Sequence, residues 1–130
     1  MSFLLDTHAL IWWMIDPRRL SSKARACVEG RDHPLFVSAA SAYEIEYKRD
    51  RDLSLYRLPP ALPRVVPRLG VEWLPIDVDD GFQAARLEKS HKDPWDRIIA
   101  AQAARRNLSL ITSDGPLTEA CLNWRVQTVW

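Results

Sequence analysis

Three times along the chain a short apolar run stops at an acid or a hydroxyl and passes directly into a segment of helical character: FLLDTHAL from Phe3, LFVSAASA from Leu35 and LITSDGPL from Leu110. Parallel strands cannot be joined by a tight hairpin and need a crossover, usually a helix, so this repeated step predicts a parallel sheet covered on both faces. Strands are expected over Ser2–Leu5, Leu35–Val37, Val71–Ile76 and Ser109–Thr112, with a short terminal candidate at Val126–Val129. Helices are expected over Thr7–Ile15, from Ser21 or Ser22 to Gly30, and from Ser38 through Arg51. Further helices are expected over Asp79–Ser90 with Phe82, Ala85 and Leu87 turned inward, over Pro94–Arg106, and over Pro116–Leu122. The proline-punctuated stretch Leu58–Leu69 reads as a broken helix or loop that ends at Gly70. The expected class is α/β, a three-layer α/β/α sandwich with a mainly parallel central sheet.

No internal repeat or linker divides the chain, and 130 residues with 47% apolar side chains suit one domain over residues 1–130. Cys27 and Cys121 stand far apart, in no metal-ligand spacing and each in an apolar helical context, which points to buried thiols in a reducing cytosol. The first apolar run is cut by Asp6 and His8, and no run reaches the roughly 18 apolar residues of a membrane span, so a soluble cytoplasmic domain is expected. Eighteen basic against seventeen acidic residues leave a formal charge of +1, which neither demands nor excludes nucleic acid. The basic residues cluster at Arg18, Arg19, Lys23 and Arg25 and again at Lys48, Arg49, Arg51 and Arg57. A solvated helix face and a phosphate-contacting rim both account for that pattern.

In a parallel sheet the carboxyl ends of the strands share one edge, where ligands collect. Asp6 follows the first strand, Glu44 lies on the helix after the second, Asp93 and Asp96 open the Pro94 helix, and Asp114 follows the fourth strand. Each has an ordinary local reading: Asp6 and Asp93 as caps, Glu44 as an i,i+4 partner of Lys48, Asp114-Gly115 as a turn. Asp96 is different, because Ile99, Ala100 and Ala103 follow it at i+3, i+4 and i+7 and place it at the head of the inward stripe. Glu44 has Ala40 and Tyr47 as helical neighbours, whereas Glu46 is followed at i+4 by Asp50, so Glu44 is preferred. Carboxylates that converge repel unless a cation intervenes or their pKa values rise. Oxygen ligands without a Cys or His cluster select Mg²⁺ or Mn²⁺, and such an ion suits phosphodiester hydrolysis. Thr7, Ser38, Thr112 and Ser113 add hydroxyls near the same edge, for caps and turns or for support of the acids. His8 stands as a neighbour or a ligand, with His33 and His91 carrying less weight.

The segments LLDTHALIWW, SAASAYEIEYK, HKDPWDRIIAAQA and LITSD, in this order and spread over essentially the whole chain, resemble PIN-domain ribonucleases and in particular VapC-like toxins of type II toxin–antitoxin systems. The resemblance implies Mg²⁺- or Mn²⁺-dependent endonuclease activity on RNA, neutralisation by a cognate antitoxin, and a homodimer. It carries Asp6, Glu44 and Asp96 over as the acidic core and Asp114 as a more variable fourth member, with Asp93 capping and supporting. His8 stands where many relatives have asparagine. In this light the all-round apolar ALIWWMI, Ala9 to Ile15, is either a buried helix or a surface for a second protomer or the antitoxin. Trp73, Trp95, Trp124 and Trp130 are read as core packing, with base stacking as the alternative.

Two other classes compete. A non-catalytic interaction module would keep the sandwich without turnover. A phospho-receiver or aspartyl-phosphate enzyme would use Asp6 after its strand, but the final lysine, Lys92, precedes the last two strands, where such proteins need one later.

Overall fold

The computed structural model describes all 130 residues. Five strands, β1 (Phe3–Leu5), β2 (Leu35–Ser38), β3 (Val71–Leu74), β4 (Ser109–Ile111) and β5 (Thr128–Val129), form one sheet in the order β3-β2-β1-β4-β5. All four pairings are parallel. Seven α-helices connect them: α1 (Thr7–Ile15), α2 (Ser22–Glu29), α3 (Ala39–Lys48), α4 (Leu62–Val65), α5 (Val78–Arg86), α6 (Pro94–Arg106) and α7 (Gly115–Trp124). The expected three-layer α/β/α architecture is what forms.

Strand alternation builds the two cores. Phe3 and Leu5 point to one face, with Val37, Ile111, Leu10 of α1 and Ala24 of α2. Leu4 points to the other, with Leu110, Ile99 of α6 and Leu117 of α7. Because both faces of β1 are covered, its three residues are all buried, which is why it reads as a continuous apolar run rather than an alternating one.

Several boundaries differ from expectation. The α3 helix stops at Lys48, and Leu53–Arg57 and Val66–Leu69 are 3₁₀ turns flanking the short α4, so the proline-punctuated region is a broken helix. It ends at Gly70, whose φ of 83° is left-handed and suits glycine. Of the three residues expected to turn inward here, Leu87 does and the other two do not. Phe82 is 59% exposed and Ala85 is exposed, while Asp80 and Ala84 take the buried side of α5. The phase is decided by charge: Asp80 is fully buried and receives Arg105 at 2.6 Å and Arg106 at 2.8 Å from the end of α6. Asp77 and Asp80 also form a reciprocal capping box at the start of α5. Cys121 is buried as expected, but Cys27 is only half-buried. No helix is long and apolar enough to cross a membrane.

Candidate active site

The register of the sheet sets the site. Leu5 of β1 lies between Val37 of β2 and Ile111 of β4, so the next residue on each strand, Asp6, Ser38 and Thr112, falls in one row along the carboxyl edge. Each of these residues begins or supports a helix start. Asp6 caps α1 through Ala9 N–H at 2.7 Å, Ser38 caps α3 through Ala40 N–H at 3.0 Å, and the Thr112 hydroxyl accepts Asp114 N–H at 3.1 Å. Asp114 in turn caps α7 through Leu117 N–H at 2.8 Å. The chain builds away from β1 in one direction through β2 and β3, then returns to lay β4 on β1's other side. That reversal opens a crevice between β1 and β4, the usual ligand position in open parallel sheets. A cleft of about 230 Å³ lies there, lined by Asp6, His8, Trp12, Ser113 and Asp114.

The acids feel one another. Asp6 is 6% exposed, and burial pushes its carboxyl up from 3.8 to about 6 despite hydrogen bonds from Thr112 and Ala9, with the neighbouring Asp96 adding a smaller upward push. Asp96 is raised too, first by burial and then by Asp93 and Asp114, against a lowering hydrogen bond with His91. Both ways of tolerating convergent acids are therefore present: raised pKa values at Asp6 and Asp96, and local cations elsewhere. Glu44 is held by Lys48 Nζ at 2.7 Å with its side chain 12% exposed. Asp96 meets His91 Nε2 at 2.8 Å.

Asp6, Ser113 and Asp114 thus line the β1/β4 crevice, and Asp96 lies within electrostatic reach of Asp6 and Asp114. Asp93 is exposed and accepts Asp96 N–H at 3.1 Å, the capping role expected of it. Thr7 is buried and bonds Ser41 at 2.9 Å, tying the start of α1 to the helix that carries Glu44. Glu44 itself faces Lys48 and makes no bond to the other acids. No three Asp, Glu, His or Cys side chains are close enough, as they stand, to share an ion. The donor chemistry nevertheless fits Mg²⁺ or Mn²⁺: Asp6, Ser113 and Asp114 give the cleft an oxygen lining without a cysteine.

Two residues matter more than their sequence context suggested. His91 lies before the Pro94 helix, yet the Asp93 cap turns the chain so that its ring meets Asp96 across five positions; a His just ahead of an Asp-Pro-x-Asp start is the signal that was available. Trp12 reads as one more apolar residue in ALIWWMI, and nothing in the periodicity singles it out. In the fold, Ala9 and Leu10 are buried while Ile11 to Ile15 are half-buried, so α1 is neither wholly interior nor wholly a free surface. The other tryptophans mostly pack: Trp124 is buried with Nε1 donating to Glu88 O at 3.1 Å, Trp73 donates to Pro63 O at 3.0 Å, and Trp130 is half-buried.

The family model for the PIN domain matches residues 3–121. The chain is a PIN-domain protein. Ribonuclease VapC22 of Mycobacterium tuberculosis is 32% identical to it over 132 residues, spanning 98% of this chain and 97% of the relative, which places the PIN domain among those of VapC type. Its fold is similar to that of a toxin–antitoxin complex from Klebsiella pneumoniae, with a TM-score of 0.68 and 22% identity over 99% of this chain and 97% of that one. It is also similar to VapBC2 from Rickettsia felis bound to a DNA fragment from its promoter, with a TM-score of 0.72 and 15% identity over 100% and 99% of the two chains. At these identities the structural matches speak for the fold alone.

Proposed function

We propose that this chain is a divalent-metal-dependent endoribonuclease, the toxin of a toxin–antitoxin pair acting in the cytoplasm. The ribonuclease class follows the VapC22 relative, and the antitoxin partner follows the complexes that share the fold. The observation that carries the chemistry is Asp6: a buried carboxyl at the β1/β4 crevice, raised to about 6 and within electrostatic reach of Asp96. Asp6, Asp96 and Asp114 would hold Mg²⁺ or Mn²⁺, with Glu44 joining after release from Lys48. When bound, such an ion lowers the pKa of the attacking water and offsets charge on the leaving oxygen.

The remaining work belongs to the chain. Asp6 is fixed by Ala9 N–H and Thr112, so its carboxylate orientation is set before substrate arrives. His91 fixes Asp96, and Asp93 fixes the backbone that carries it. Ser113 and Thr112 supply hydroxyls beside the acids. A homodimer belongs to this reading too, with the half-buried Ile11–Ile15 of α1 as the surface it would use.

Purified protein is expected to cut RNA with Mg²⁺ or Mn²⁺ and to stop in EDTA. Mapping RNA ends after brief induction, with Asp96→Asn as control, should give discrete wild-type-only cuts. Cleavage that persists in EDTA and in Asp6→Ala would rule the mechanism out.

A further inference from the structure

The cleft between β1 and β4 has one wall that the acids do not explain. Trp12 lines it beside Asp6 and Asp114, and the indole is only half-buried although it packs on the core beneath α1. The Arg19 guanidinium lies over this ring, 4.4 Å from its centroid. Trp130 packs against it edge-on at 5.7 Å, and His8 lies at 5.7 Å. Arg18 next door is held by Asp16 at 3.0 Å, but Arg19 is exposed and forms no salt bridge. Packing accounts for the side of Trp12 that meets the core. It does not account for a half-buried indole in the wall of an acidic cleft, nor for a guanidinium over that indole with no carboxylate partner.

Acids that face a phosphodiester repel it, so affinity for an RNA chain has to come from surfaces beside them. An aromatic face stacks any unpaired base without adding charge, and a guanidinium offsets the phosphate of the same nucleotide. We infer that Trp12 and Arg19 form a nucleotide subsite adjoining the acids: the base next to the scissile bond takes the place of the Arg19 guanidinium over the indole, and the displaced Arg19 meets its phosphate. The substrate class is accordingly single-stranded RNA, a loop or an unpaired segment, since a base inside a duplex cannot reach the ring. This inference rests on the nuclease reading above and adds to it where the strand lies.

The test is anisotropy of fluorescein-labelled single-stranded oligoribonucleotides with the full chain carrying Asp96→Asn, so that bound RNA survives. Stacking on one base predicts that adding Trp12→Ala weakens binding by roughly five- to 150-fold, and that Trp12→Phe recovers much of the loss. Arg19→Gln, a surface change that leaves the core intact, is expected to lower the slope of log affinity against log salt by about one. In the protein without Asp96→Asn, Trp12→Ala should raise KM more than it lowers kcat and blur the base preference beside the cut. Binding that depends on Trp12 and Arg19 in a protein that never cleaves would uphold the subsite and sink only the nuclease reading. Cleavage with oligonucleotide binding indifferent to Trp12→Phe, Trp12→Ala and Arg19→Gln would overturn the subsite, spare the nuclease, and leave this wall to a protein ligand. Failure of the protein to bind any single-stranded oligonucleotide overturns the subsite, and the cleavage assay above decides the nuclease reading separately.

Discussion

Asp6→Asn should make the metal-free protein more stable while abolishing its proposed chemistry. The Asp6 carboxyl sits near 3.8 in an unstructured chain and at about 6 in the fold. Between those values the folded state binds the proton more tightly than the unfolded state does, so stability falls as pH rises through the window, and the penalty is complete above about pH 7. At 1.36 kcal/mol per pH unit the interval corresponds to roughly 3 kcal/mol. Asparagine removes the buried charge and ranks with aspartate as a cap, keeping an acceptor for the Ala9 N–H at 2.7 Å. Its amide nitrogen cannot accept the Thr112 hydroxyl, which returns about 1 kcal/mol. The net gain is about 2 kcal/mol at pH 8 in EDTA, a rise in Tm of roughly 6–10 °C for a chain of this size. At pH 4 the gain should vanish, because the folded wild-type carboxyl is then protonated and the lost Thr112 bond offsets what remains. Mg²⁺ should raise the wild-type Tm and leave the variant nearly where it was. Thermal unfolding by circular dichroism at the two pH values reads all of this. A variant that melts at or below wild type at pH 8, or that gains equally at pH 4, would refute the claim that Asp6 is a strained buried carboxylate.

Three further perturbations follow from the structure. Asp80→Asn should cost about 3 kcal/mol at pH 7, the low end for a broken buried pair because Arg105 and Arg106 keep Asp77, as read by urea unfolding. Burial raises the Asp80 carboxyl but Arg106, the Asp77 backbone and Arg105 together hold it at about 2, so the wild-type advantage is present above 3.8 and should disappear as pH falls toward 2. Arg97→Met should cost about 3 kcal/mol, since the buried guanidinium donates to the Leu87, Glu88 and His91 carbonyls at 2.7–2.9 Å, and hydrogen exchange should accelerate across residues 87–92 before β1. His91→Ala removes the hydrogen bond that lowers the Asp96 carboxyl, so NMR titration of Asp96 in EDTA should move to higher pH, and an unmoved titration would mean the 2.8 Å contact does not persist in solution.

The sequence by itself determined the architecture and the positions of the acids. Short strands buried on both faces must be apolar throughout, and a helix that starts where a strand stops needs a capping oxygen, so FLLD, LFVS and LITSD announce both the parallel sheet and the edge where polar groups collect. The stripe behind Asp96 was equally legible, because Ile99, Ala100 and Ala103 are all buried. Tertiary structure alone decided what depends on charges brought together from distant segments. Hydrophobicity would bury Phe82, but two arginines from α6 pull Asp80 inside and turn α5 over. Likewise Trp12 borders the cleft because the chain reverses between β1 and β4, and His91 reaches Asp96 because a cap bends the loop between them. Local patterns record which face of an element is apolar; which partner arrives to neutralise a charge is settled only when the elements pack.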